Sequence, residues 1–147
     1  MQGLNNPQKR CVIKNLLRDW KCDVVCLQKT KLVAIDLGMV HSLWSNPYLD
    51  WVALNANHTA GGILLMWDKQ MLEKIDSMVG TFSVSCLWKG LFNGFEWVYS
   101  GNYGLHSDSL RSALWGELVY VRHRWNVPWC AIGDFNVVLF LVSAWVV

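Results

Sequence analysis

Apolar residues recur along this chain with two different periods, and the changes from one period to the other divide it into elements. Ile13, Leu16, Leu17 and Trp20 fall at i, i+3, i+4 and i+7, which predicts an amphipathic helix near residues 8–20 with Lys9, Arg10, Lys14 and Arg18 turned to solvent. Asn6 is placed to cap that helix and Pro7 to occupy its first turn. A β-branched run, Val24-Val25-Cys26-Leu27, then predicts a central strand closed by Gln28-Lys29-Thr30-Lys31. Gly61-Gly62-Ile63-Leu64-Leu65-Met66-Trp67 predicts another, whose glycines allow close backbone approach. Val79 to Trp88 and Phe95 to Ser100 read as an antiparallel hairpin around Lys89–Gly94. Leu110, Leu114, Leu118 and Val121 share one stripe of a second helix near 108–124, with Ser107 or Ser109 as its cap. Residues 32–60 carry no assignable period and are expected to be loop with a short helix or strand.

Residues 129–132 are too few for a helix and sit between Pro128 and Gly133, so they predict a core strand that stops at Gly133-Asp134-Phe135-Asn136. In α/β sheets the carboxyl ends of strands are where ligands sit. Asp134 offers a hard anionic oxygen, Asn136 offers amide donors, and on an extended backbone the two side chains point the same way. The same residues also fit a plain Asp/Asn turn. The tail from Val137 to Val147 is uncharged and apolar except for Ser143. It supplies about half of the ~20 residues a membrane span needs, so burial against the domain, or self-association through the tail, is expected instead of spanning.

The 147 residues amount to one domain, and 53% hydrophobic against 16% charged residues, with ten Trp, excludes a disordered or polar binding arm. A net charge of +2 is too small to imply a strong electrostatic grip on nucleic acid. The five cysteines are an odd number and fall mostly inside apolar segments. Cys22 and Cys26 lack a second pair at zinc spacing, so small core residues in a reducing, intracellular setting are expected, and nothing at the amino terminus resembles a secretory signal. His41, His58, His106 and His123 read as surface or loop residues, and core packing explains the Trp content as well as base stacking does.

Five stretches in order carry a resemblance. They are Gly3-Leu4-Asn5-Asn6-Pro7, Asp23 through Lys31, Gly61 through Leu65, Ser100-Gly101-Asn102-Tyr103-Gly104, and Pro128 through Asn136. Together, over residues 1–138, they resemble the endonuclease/exonuclease/phosphatase superfamily, and more narrowly the endonuclease domain of plant LINE-type retrotransposons. The resemblance implies a four-layered α/β sandwich of the deoxyribonuclease-I-like type, with Mg²⁺ as cofactor and DNA as partner. It implies that Tyr103 contacts the scissile phosphate, that Asp134 orients or deprotonates the attacking water, and that Asn136 stabilises developing charge.

The departures matter equally. The family's acidic metal ligand is Lys29 here, which places an ammonium where a hard cation needs carboxylate oxygen and puts Mg²⁺ binding in question. The family's first-strand Asn would precede Met1, and its closing Ser-Asp-His segment has no counterpart before the apolar tail at 139–147, so a domain incomplete at both ends is expected. Two functions stay open. One is an impaired Mg²⁺-dependent phosphodiesterase, and the other is a retroelement remnant with no hydrolytic role.

Overall fold

The structure, a computed structural model, describes residues 3–57, 61–102, 108–132 and 139–142. After a single 3-10 turn at Gly3–Asn5, the elements in order are α1 (Pro7–Asp19), β1 (Val24–Gln28), α2 (Leu37–Leu43), β2 (Leu49–Leu54), β3 (Ile63–Asp68), β4 (Leu72–Val79), β5 (Ser83–Gly90), β6 (Glu96–Asn102), α3 (Asp108–Arg124), β7 (Trp129–Ile132) and β8 (Leu139–Val142). They form two four-stranded sheets, ordered β2-β3-β1-β8 and β4-β5-β6-β7. All pairings are antiparallel except β6 with β7, where the parallel return is made by way of α3.

β1 is buried at all five positions, as a strand covered on both faces must be. Its alternate residues Val24 and Cys26, with Ile63, Leu65 and Trp67 of β3, meet Val84, Cys86, Trp88 and Tyr99 of the opposing sheet in one core. The other set, Val25 and Leu27 with Leu64 and Met66, packs against Leu17 of α1 and Val40 and Leu43 of α2. Beyond the second sheet, Leu87 and Val98 pack against Val121 of α3 and Trp125. Helices, sheet, sheet and helix make four layers, the α/β sandwich expected from the sequence.

Both expected helices form, and Asn6 caps α1 by accepting a hydrogen bond from the Gln8 amide at 2.9 Å. The apolar stripe of α1 is narrower than its period suggests: Leu17 is buried, whereas Trp20 stays 47% exposed. Residues 32–60 contain α2 and β2. The strand expected from Val79 starts instead at Ser83, because Val79 closes a separate strand, β4. Glu73, Lys74 and Ile75 of β4 are exposed and the ladder carries a bulge between Lys74 and Asp76, both ways of protecting a sheet edge. Those charges disguise β4 as loop. Of the apolar tail, Leu139–Val142 becomes β8, which pairs Val24 with Val142 and Leu27 with Leu139 along the edge of β1. No helix among the described residues is long and apolar enough to cross a membrane.

Cys22, Cys26 and Cys86 are buried, Cys130 is half-buried and Cys11 is exposed, and none of the five is in a disulfide. His41 is half-buried on α2 and His123 is exposed on α3, while His58 and His106 lie outside the described residues.

Glu117 of α3 ties the helix to the turn between β4 and β5. Its carboxylate accepts from the Thr81 amide at 3.2 Å, the Phe82 amide at 3.1 Å and the Ser83 hydroxyl at 2.6 Å. Glu117→Ala is expected to cost about 1.5–3 kcal/mol, the usual worth of hydrogen bonds to a charged group, with Glu117→Gln recovering part of it. Urea unfolding followed by circular dichroism measures both, and equal midpoints for the alanine variant and the parent would remove Glu117 from the account of stability.

Candidate functional site

Several strand ends meet at one edge of the sandwich. β1 stops at Gln28 opposite Ile63, where β3 begins. β6 stops at Asn102, and β7 runs parallel to it with Ile132 in register with Gly101. Gly101 is where the sheets touch, since a Cβ added there would lie 3.3 Å from Cys26 Sγ and 3.4 Å from Ile63 Cγ2. Lys29 and the segments leading into Tyr103 and Asp134 therefore leave the same edge. Tyr103, Asp134 and Asn136 themselves lie outside the described residues.

The turn after β1 is fully described. Lys29 and Lys31 both adopt left-handed backbone conformations, φ 53° and 61°, which non-glycine residues rarely take. Neighbouring segments hold them there. The Thr30 amide donates to Gly62 O at 3.3 Å, the Lys31 amide to Gly61 O at 2.6 Å, and Ala56 N to Leu32 O at 2.7 Å. Leu4 N donates to Thr30 O at 2.8 Å, and Asn5 Nδ2 to Lys31 O at 3.0 Å. Gly62, at φ 94°, leaves room for the Thr30 side chain where a Cβ would collide with Oγ1. This is the close approach that the Gly-Gly pair suggested.

Two buried amides lie at the same edge. Gln28 is 3% exposed, and among the described residues neither its Oε1 nor its Nε2 has a hydrogen-bond partner; Asn102 is 7% exposed, and its Oδ1 has none among them either. By strand alternation Gln28 shares the inter-sheet face of Val24 and Cys26. Below it, burial pushes the Cys26 thiol up to about 12 even though the Tyr99 hydroxyl faces it. Burial, then the Cys26 charge, raises the Tyr99 phenol well above its ordinary range. Cys26 and Tyr99 are therefore neutral at physiological pH.

No protein-family model matches the sequence, and no curated protein matches it either. Solved structures do match. An endonuclease/exonuclease/phosphatase from Bacteroides vulgatus superposes with a TM-score of 0.67 at 18% identity, over 91% of this chain and 60% of that one. The catalytic domain of human Nocturnin, with a bound sulfate anion, gives 0.64 at 14%, over 89% and 57%. A mannosyl-6-phosphatase from Bacteroides thetaiotaomicron gives 0.62 at 14%, over 92% and 58%. The fold is the endonuclease/exonuclease/phosphatase sandwich. This chain spans 57–60% of the length of those three proteins.

Among the described residues, none form a group of three or more His, Cys, Asp or Glu, and the side chain just beyond β1 is the half-buried Lys29. Sequence reasoning missed Gln28 and Asn102 as site residues. Gln28 was legible as a polar residue closing an otherwise apolar strand. The expected strand ends at Ser100, and the extension of β6 to Asn102 is what buries that residue.

Proposed function

We propose that this chain is a catalytically impaired relative of a LINE-type retrotransposon endonuclease, able to associate with DNA phosphates but not to cleave them through Mg²⁺. The observation that carries this reading is Lys29, a cation on the turn after β1, beside the strand ends that lead into Tyr103 and Asp134. A lysine there repels the hard cation a phosphodiesterase of this kind would use and attracts the phosphate it would cut. Two of the proteins sharing the fold concern tetrahedral oxyanions: one is a phosphatase and the other holds a sulfate. In this reading Tyr103 faces the phosphate, and Asp134 and Asn136 retain the family's polar groups without the metal that would make them productive.

The test uses the purified chain with supercoiled plasmid at millimolar Mg²⁺. No nicking is expected, together with weak DNA retention that fades as salt rises, because phosphate contacts of this kind exchange with counterions. Nicking above a metal-free control would overturn the reading. Absence of any salt-sensitive DNA association would favour the remnant with no nucleic-acid role, the alternative that loss of the metal ligand also supports.

A further inference from the structure

Lys31 plays no part in the function proposed above, yet its position is unusual. A Cβ placed on Gly61 would come within 3.2 Å of Lys31 Nζ and 3.4 Å of the Lys29 Cα. The Lys31 side chain thus folds back over Gly61, and the Lys29 backbone borders the same glycine. No ion pair among the described residues includes Lys31. Arg10 adds a third cation nearby, its Nη1 donating at 2.7 Å to Leu4 O, while Leu4 N holds Thr30 O.

Two left-handed lysines separated by one residue form a strained turn, kept in place by hydrogen bonds from three other segments. Strain over-determined in this way gathers at sites that bind something. The residue immediately before the turn, Gln28, brings a buried and unpaired carboxamide to the same edge. The Thr30 and Lys31 amides are already engaged by Gly62 and Gly61, so a ligand would meet side chains here, not a nest of backbone N–H groups.

We propose that Lys31, held over Gly61 beside Lys29, forms an anion seat for one phosphate group, so that the strand-end site accepts phosphate directly, without a divalent ion. This deepens the reading given above and rests on it for the location of the site. The ligand chemistry is a phosphate oxyanion, supplied either by inorganic phosphate or by a DNA backbone.

The experiment is an NMR titration of the ¹⁵N-labelled chain, without divalent metal, first with inorganic phosphate and then with a short DNA duplex, at constant ionic strength set with chloride. Saturable shifts at Thr30, Lys31, Gly61 and Gly62 are expected. Lys31→Asn should weaken the phosphate-induced shifts by about tenfold, the usual worth of a charge-assisted hydrogen bond, while Lys31→Arg should retain them. Asparagine is chosen because it tolerates a left-handed backbone. Thermal melting of each variant separates loss of binding from loss of fold, and if Lys31→Asn melts early, Lys31→Arg against Lys31→Met decides in its place. Response to both ligands assigns a general phosphate seat, and response to duplex alone assigns a phosphodiester seat. Shifts confined to other residues, or unchanged affinity in a folded Lys31→Asn chain, would overturn the seat. Mg²⁺-dependent nicking by the parent would sink the proposed function while leaving the seat intact.

Discussion

Lys29→Glu should bind Mg²⁺ or Mn²⁺ at least ~100-fold more tightly than the parent chain. At ~4 Å and an effective dielectric near 20, a unit charge acts on a divalent ion with about 8 kcal/mol, so exchanging ammonium for carboxylate turns a repulsion of that order into an attraction. Lys29 is half-buried, and solvent screening with the cost of stripping water from Mg²⁺ removes most of this, leaving a few kcal/mol as the working figure. The substitution leaves the backbone demand unchanged, because lysine and glutamate are equally strained at φ 53°. Mn²⁺ binding followed by electron paramagnetic resonance reads the affinity directly, and nicking of plasmid reads its consequence. Equal metal affinity in parent and variant would mean that Lys29 does not face the site and that the alignment of residues 23–31 with the family is wrong. Metal binding without nicking would show that cleavage requires more than a carboxylate at position 29.

The other large effect lies in the core. Trp88 is fully buried between the sheets, with its ring 5.6 Å from Trp67 in an edge-on arrangement, 5.0 Å from Trp97 and 6.4 Å from Tyr99. Trp88→Ala removes the residue that these three aromatics pack around and leaves a cavity, at an expected cost of ~3–5 kcal/mol. A domain of this size holds only about 5–15 kcal/mol in all, so the variant should be largely unfolded in mild denaturant. Trp88→Phe should be far milder. The indole Nε1 has no hydrogen-bond partner among the described residues, and deleting such a buried donor returns part of what the smaller ring loses. Guanidinium unfolding of the three proteins gives the order parent, phenylalanine, alanine; a loss below about 1.5 kcal/mol for alanine would mean that the sheets close over the gap.

Apolar periodicity alone determined α1, β1, β3 and α3, because each buries a continuous stripe or face and its neighbours in sequence declare it. It placed a strand at 129–132 as well, but not its burial: β7 lies at the end of the second sheet's order with Ala131 exposed and Trp129 and Cys130 half-buried, an edge strand where a core strand was expected. It also located the polar clusters at strand ends, since Gln28-Lys29-Thr30-Lys31 and Gly133-Asp134-Phe135-Asn136 interrupt apolar runs that are otherwise unbroken. Tertiary structure decided the rest. β4 is a strand because β5 pairs with it, not because Leu72–Val79 looks like one; half its residues are charged or polar, as suits an edge. β2 takes its register from β3, and β8 lies on β1 through a ladder between residues more than a hundred positions apart in sequence, a pairing no local pattern encodes. The unpaired amides of Gln28 and Asn102 and the Lys31 ammonium over Gly61 exist only once two sheets and their connecting turns are brought together, because burial and close approach are properties of contacts between distant segments.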